Sequence, residues 1–83
     1  MTKSMRNYSV LLDPDSGGGF TVTVPLLPGC ITQGEGVNEC LERAREAIGL
    51  YIEDLVAAGR PVPEENVPPQ LHAVSVSFDS LSD

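Results

Sequence analysis

This chain has 83 residues, a formal charge of −7 and a hydrophobic content of 41%. That length leaves room for one core only, so residues 1–83 are expected to form a single small domain with its core at about 6–78. The negative charge repels nucleic-acid phosphates, which argues against nucleic-acid binding by this chain alone, and it either keeps the protein soluble or favours a basic protein partner.

Three short strands are predicted in the first half of the chain. Alternating apolar residues predict strands over residues 6–12 and 20–24, and the turn-forming residues 13–19 between them predict an antiparallel hairpin. Two prolines make residues 25–29 a rigid turn at a sheet edge, because proline cannot donate to a strand ladder. Residues 30–33 are predicted to form a short third strand.

A long amphipathic helix over residues 37–58 is predicted to organise the fold. Gly59 can adopt the left-handed conformation that ends a helix, and Pro61 prevents further helix. Gly49, which has no side chain, is expected to let this helix approach another backbone closely. Apolar residues spaced alternately four and three apart give the helix one face for a sheet, and they are Val37, Leu41, Ala44, Ile48, Tyr51 and Leu55.

The C-terminal third is predicted to be a connector followed by a strand. Four prolines between residues 60 and 69 favour an extended connection, and residues 71–78 alternate like a fourth strand. A right-handed crossover through the helix would place that strand parallel to the first. The predicted fold is α+β, a two-layer ββ-β-α-β domain with one uncovered sheet face, and its small core and free edges favour a homo-oligomer.

The cysteines and the N-terminal residues favour a reducing compartment. Cys30 and Cys40 have neither a zinc-site nor a redox-motif spacing, so both are expected to be buried thiols without a disulfide. Lys3 and Arg6 are not followed by an apolar run, so neither a signal peptide nor a membrane span is expected. We therefore expect a cytoplasmic location and no cofactor.

Five short segments form a recognisable combination of motifs. They are residues 8–10 (YSV), 19–20 (GF), 24–30 (VPLLPGC), 32–35 (TQGE) and 44–47 (AREA). Together they resemble the HicB-type antitoxin domain over roughly residues 6–65. Because members of that family have a partial ribonuclease-H-like fold and neutralise HicA-type toxins, small basic proteins that cleave messenger RNA, the resemblance implies an antitoxin. Many relatives also carry a C-terminal DNA-binding module, whereas this sequence ends five residues after Phe78, so operon repression by this chain alone is not expected.

A metal-dependent nuclease is the alternative that the fold resemblance raises. Such an enzyme needs several carboxylates converging on two metal ions about 4 Å apart. Asp13, at the end of the first predicted strand, is the candidate metal ligand, and Glu35 and Glu39 could join it only if their turns fold inward. Asp13 is more simply a turn residue, so a non-catalytic protein is predicted.

The candidate partner-binding residues are Leu26, Leu27 and Glu35. Both leucines lie between prolines, where a rigid turn could present at least one of them as an anchor, with Glu35 adding charge beside it. Alternatively, both leucines fold back over the end of the sheet as core residues. Many relatives have an acidic residue where this chain has Leu26. A third possibility for the function is a domain that binds some other protein.

Overall fold

The computed structural model of the chain describes residues 5–79. Three strands are followed by one helix, which makes an α+β fold with the antiparallel strand order β1-β2-β3. The helix packs on one face of the sheet and leaves the other face open, as predicted. The elements are β1 Leu11–Pro14, β2 Phe20–Thr23, β3 Ile31–Gly34 and α1 Val37–Ala57.

The first strand is displaced from its predicted position. It was predicted over residues 6–12, whereas β1 begins at Leu11 and continues to Pro14. Leu11 pairs with Thr23, the last residue of β2, and directly afterwards the chain turns, with the Leu27 N–H donating to the Val24 carbonyl. No further β2 residue is therefore available to pair with the residues before Leu11.

The helix agrees with its prediction to within one residue. Leu55 and Val56 accept hydrogen bonds from the N–H groups of Arg60 and Gly59, and Gly59 has a φ of +69°. This is the Schellman arrangement, which satisfies the last carbonyls of a helix through a left-handed glycine. The sequence signal at Gly59 therefore identified the helix end correctly.

The helix approaches the sheet most closely at Gly34. A Cβ atom on Gly34 would lie 2.7 Å from Cys40 Sγ and 3.0 Å from the Cys40 backbone nitrogen. The expectation that Gly49 serves this purpose is wrong, because a Cβ atom there would meet nothing within 4 Å. Cys40 and Ala44 pack on Val22, the central residue of β2, and these three residues form one buried cluster.

A second buried cluster closes the opposite end of the sheet. Val24, Leu27 and Cys30 form its centre, and Ile48 and Tyr51 of α1 pack against it. Both cysteines of the chain are free and buried, as predicted. Burial also raises the pKa of the Cys30 thiol, because charging a thiol away from water is unfavourable.

The predicted fourth strand is absent from the described part of the chain. Residues 71–78 have no regular secondary structure, and all of their side chains are exposed. The connector before these residues lies against the segment that precedes β1, through contacts of residues 62–65 with residues 6–9. Tyr8 donates to the Pro63 carbonyl at 2.6 Å, and the Ser9 N–H donates to Glu65 Oε1 at 2.9 Å.

No helix within residues 5–79 combines the length and the apolar character needed to cross a membrane.

Candidate protein-interaction surfaces

Residues 25–29 form two consecutive β-turns. The first is closed by a hydrogen bond from the Leu27 N–H to the Val24 carbonyl, and the second by one from the Cys30 N–H to the Leu27 carbonyl, both at 3.0 Å. Gly29 has a φ of +84°, which makes the second turn type II, with Pro28 and Gly29 as its central residues. The Tyr51 hydroxyl donates to the Pro28 carbonyl at 2.9 Å and ties this double turn to the helix.

The double turn assigns different environments to its two leucines. Leu27 is fully buried, whereas Leu26 is half-buried. Leu27 is therefore a core residue, and the interpretation of Leu27 as an exposed anchor is wrong. The turn buries Leu27 because its two hydrogen bonds satisfy the local backbone while its side chain points between Val24 and Cys30. Leu26 is the leucine of this pair that retains contact with solvent.

Glu35 lies at the opposite end of the sheet from the leucines, contrary to the idea that it flanks them. The register pairs Gly34 with Phe20, which places Glu35 beside the β1–β2 hairpin, and Glu35 Oε2 lies 3.4 Å from where a Cβ of Gly19 would be. The double turn, in contrast, begins after β2 has ended. The double turn precedes β3 and Glu35 follows it, so the two lie at opposite ends of that strand.

Three carboxylates gather around that hairpin. Asp15, Glu35 and Glu39 line one shallow, polar depression of about 200 Å³, together with Arg43. We call these three carboxylates the acidic end. Glu35 is exposed, and Asp15 accepts a hydrogen bond from the Thr21 hydroxyl at 3.0 Å. The acidic end therefore presents more negative than positive charge to solvent.

Glu39 has a structural role within the acidic end. Its carboxylate accepts the Glu35 N–H at 2.6 Å, which stabilises the start of α1, where the N-cap Gly36 has no side chain to do so. That hydrogen bond, with a smaller contribution from Arg43 at 3.4 Å, holds the pKa of Glu39 below its usual value. Glu39 thus stays ionised at neutral pH while it contacts the Glu35 N–H and Arg43, and the Glu35 side chain is exposed beside it.

Asp13 lies outside the acidic end. It pairs with Thr21 in the β1–β2 ladder and is exposed on the uncovered face of the sheet. Asp15, two residues later, occupies the depression where Glu35 and Glu39 meet. Within residues 5–79, no three His, Cys, Asp or Glu side chains are grouped closely enough to hold a metal ion. The convergence of Asp13 with the two glutamates, which the nuclease alternative would need, is therefore not seen among the described residues.

The sequence reasoning missed two features of these surfaces. Asp15 was interpreted only as a turn residue, although counting the antiparallel register from Gly34 back to Phe20 would have placed it near Glu35. The uncovered face of the sheet carries Leu11 and Ile31, which are 42% and 61% exposed and flank Thr23 in one row. Adjacent residues of a strand point to opposite faces of a sheet. The position of Leu11 and Ile31 directly beside core-facing residues was therefore the sequence signal that could have identified them.

Comparisons with known proteins show which protein family this sequence matches. The family model described as "HicB_like antitoxin of bacterial toxin-antitoxin system" matches residues 8–78. A UPF0150 protein of Synechocystis is 43% identical over 65 residues, covering 78% of this chain and 82% of that protein. A UPF0150 protein of Thermoplasma acidophilum is 42% identical over 59 residues, covering 71% and 86%. The protein named Antitoxin HicB 1 of Photorhabdus laumondii is 41% identical over 56 residues, covering 63% of this chain and 36% of that antitoxin.

Proposed function

The chain belongs to the HicB-like antitoxin family of bacterial toxin–antitoxin systems, and we propose that it binds and neutralises a small, basic HicA-type toxin that cleaves messenger RNA. The observation that carries this proposal is the family match over residues 8–78, which covers the whole sheet and the helix. Membership of an antitoxin family suggests a role by binding rather than by catalysis.

The charge of the chain supports a basic partner. The formal charge is −7, and 12 acidic residues stand against five lysines and arginines. A nuclease that binds RNA needs positive charge on its own surface to meet the phosphates. An acidic antitoxin can therefore be steered towards such a surface and cover it.

We propose that the acidic end is the part of the surface that meets the toxin. Glu35 is exposed, and its side chain is accessible from the depression that Asp15 and Glu39 also line. A lysine or arginine of the toxin would find carboxylate oxygens there, and Arg43 offsets only part of their charge. Leu26, half-buried on the double turn, is a second candidate contact at the other end of the sheet.

Co-expression with the candidate toxin tests the function. The probe is the small basic protein encoded by the open reading frame next to the gene for this chain, expressed from an inducible promoter. We expect that protein alone to arrest growth and to deplete messenger RNA. Co-expression of this chain should restore growth, and the two proteins should co-purify.

Two results would contradict the proposal. Failure to restore growth, with both proteins present at normal levels, would exclude neutralisation. An adjacent gene that encodes no toxic protein would favour a domain that binds another kind of protein. A variant with Glu35→Gln keeps the fold and should weaken rescue, whereas Glu53→Gln, an equal charge change on the exposed face of α1, should not.

A further inference from the structure

The last ten described residues form an extended, solvent-exposed segment that we call the C-terminal arm, residues 70–79. Its residues Val74, Val76 and Phe78 alternate with polar Ser75 and Ser77. The three apolar side chains are 83%, 74% and 82% exposed. A run that alternates in this way has the pattern of a strand with one apolar face, and exposing that face to water is unfavourable.

An apolar groove of about 710 Å³ lies beside the free edge of the sheet. It runs between α1 and the segment that precedes β1, and β1 is the edge strand on that side. Within residues 5–79, the sheet has no fourth strand on β1. The groove thus offers apolar side chains next to a strand edge that can accept a partner, and its lining includes Tyr8, Val10, Leu41, Ile48, Ile52 and Val62.

The connector directs the arm past its own groove. Glu65 is held by Ser9, whose N–H and hydroxyl both donate to its carboxylate. Tyr8 contacts Pro63 and Ser9 contacts Glu65, so residues 62–65 run in the same direction as residues 6–9. Directly after Glu65 the chain bends at residues 66 and 67, so it does not continue as an extended strand alongside β1.

The residues between Glu65 and the arm do not fill the place of a fourth strand either. Pro68 and Pro69 lack the N–H groups that a ladder with β1 would use. The arm therefore starts beyond its own sheet, which agrees with a molecule 63 Å long but only 27 Å and 21 Å across. A groove in another molecule is better placed for the arm than its own.

We propose that the arm docks in the groove of a second copy of this chain, as a strand added to the free edge of that copy's β1. Each copy would give one arm and receive one, which is the reciprocal contact of a two-fold dimer. Val74, Val76 and Phe78 would then face the partner's groove, and Ser75 and Ser77 would face solvent. The exchange covers both exposed arms and both open β1 edges at once.

Charge favours a second copy over a basic toxin as the occupant of the groove. Arg6 and Arg45 border it; Arg45 is paired with Glu42, whereas Arg6 donates to the Val62 carbonyl and takes part in no salt bridge within residues 5–79. Arg6 therefore leaves positive charge at the groove. A basic protein would be repelled there, whereas Asp79 near the end of the arm would be attracted. The groove and the acidic end therefore select different partners, and this inference does not depend on the toxin.

The mass of the full-length protein in solution tests the exchange. We expect multi-angle light scattering and sedimentation equilibrium to give twice the chain mass at micromolar concentration. Val76→Asp should raise the dissociation constant of the dimer by a factor of ten or more, because it places a carboxylate in the apolar groove. Ser75→Asp adds the same charge on the opposite side of the strand and should change that constant by less than threefold.

Each other outcome would overturn the proposal. A wild-type protein that is monomeric at 100 μM would exclude the exchange, and so would a dimer that neither substitution affects or that both weaken equally. If Val76→Asp lowered the melting temperature of a monomer, the arm would fold onto its own sheet. If Val76→Asp weakened only toxin binding, the arm would belong to that interface. The fold itself should survive both substitutions, as far-ultraviolet circular dichroism can verify, because both side chains are exposed.

Discussion

The two ends of the sheet are built from similar residues and have opposite properties. Both have proline- and glycine-rich turns, but the double turn at residues 25–29 buries Leu27 and is tied to α1 by Tyr51. The acidic end instead leaves Glu35 in solvent. Hydrogen bonding does not distinguish the two ends, because the hairpin turn is also closed by backbone bonds, such as the one from the Gly18 N–H to the Asp15 carbonyl at 3.0 Å. The difference is that the double turn carries an apolar side chain that packs with residues of α1, whereas the acidic end carries carboxylates. The packed end stabilises the fold, and the open end is free for a partner.

Leu27→Ala should give the largest loss of stability of any change at the two ends. Removing a fully buried leucine leaves a cavity between Val24 and Cys30, which costs about 2–5 kcal/mol. Urea denaturation of the purified protein measures it. Leu26→Ala, at the half-buried neighbour, is the matched control and should cost clearly less. Equal costs for the two leucines would contradict the distinction between core and surface on this turn.

Gly34→Ala should destabilise the acidic end through packing rather than charge. The added methyl group would lie 2.7 Å from Cys40 Sγ and would push α1 away from the sheet, at a cost of about 1–3 kcal/mol. Gly17→Ala is the control, since a methyl there meets nothing within 4 Å, and it should stay within about 0.5 kcal/mol. A neutral Gly34→Ala would show that the helix does not approach the sheet as described.

Tyr51→Phe should lower the free energy of unfolding by less than Leu27→Ala or Gly34→Ala does. It removes the hydroxyl that donates to the Pro28 carbonyl at 2.9 Å and leaves the ring packed, so about 0.5–1.5 kcal/mol is expected. Thermal and urea denaturation would both report this loss. If stability were unchanged, the tie between α1 and the double turn would have no energetic importance.

Acidification should weaken the acidic end. Because the folded state lowers the pKa of Glu39, the unfolded state binds more protons below the ordinary glutamate pKa of about 4.3. The stability that Glu39 contributes is therefore present above that value and is lost as pH falls through the lowered folded pKa. Glu39→Gln should flatten the part of the stability profile that lies below the ordinary glutamate pKa. An identical profile for wild type and variant would contradict the role of Glu39 at the start of α1.

The pH dependence has a second source, in the connector. The two hydrogen bonds from Ser9 lower the pKa of Glu65. The contact between Ser9 and Glu65 therefore also weakens as pH falls. Glu65→Gln separates the two contributions. If the profile changes with Glu65→Gln and not with Glu39→Gln, the acid sensitivity belongs to the connector and not to the acidic end.

The sequence predicted local features well and long-range ones poorly. The spacing of apolar residues located α1, and Gly59 marked its end, because both signals depend on neighbours within the helix. The burial of Leu27 could not be predicted, since whether a proline-bounded turn packs inward depends on the helix that Tyr51 brings over it. Residues 71–78 carry the pattern of a strand, but a pattern does not specify which edge a strand joins, and in the structure these residues pair with no strand of the sheet.

The rate at which this chain associates with the proposed toxin, the candidate basic protein from the adjacent reading frame, tests the central claim most directly. Stopped-flow measurements would compare the association rate constant at about 0.1 M and about 1 M salt. The constant should be much smaller at the higher concentration, because the Debye length falls from about 10 Å to about 3 Å. Glu35→Gln should slow association at low salt. Glu53→Gln, on α1 about 21 Å along the helix from Glu39, should not. The account predicts salt-sensitive binding that depends on Glu35. Absence of binding, or a rate that neither salt nor Glu35→Gln changes, would contradict it.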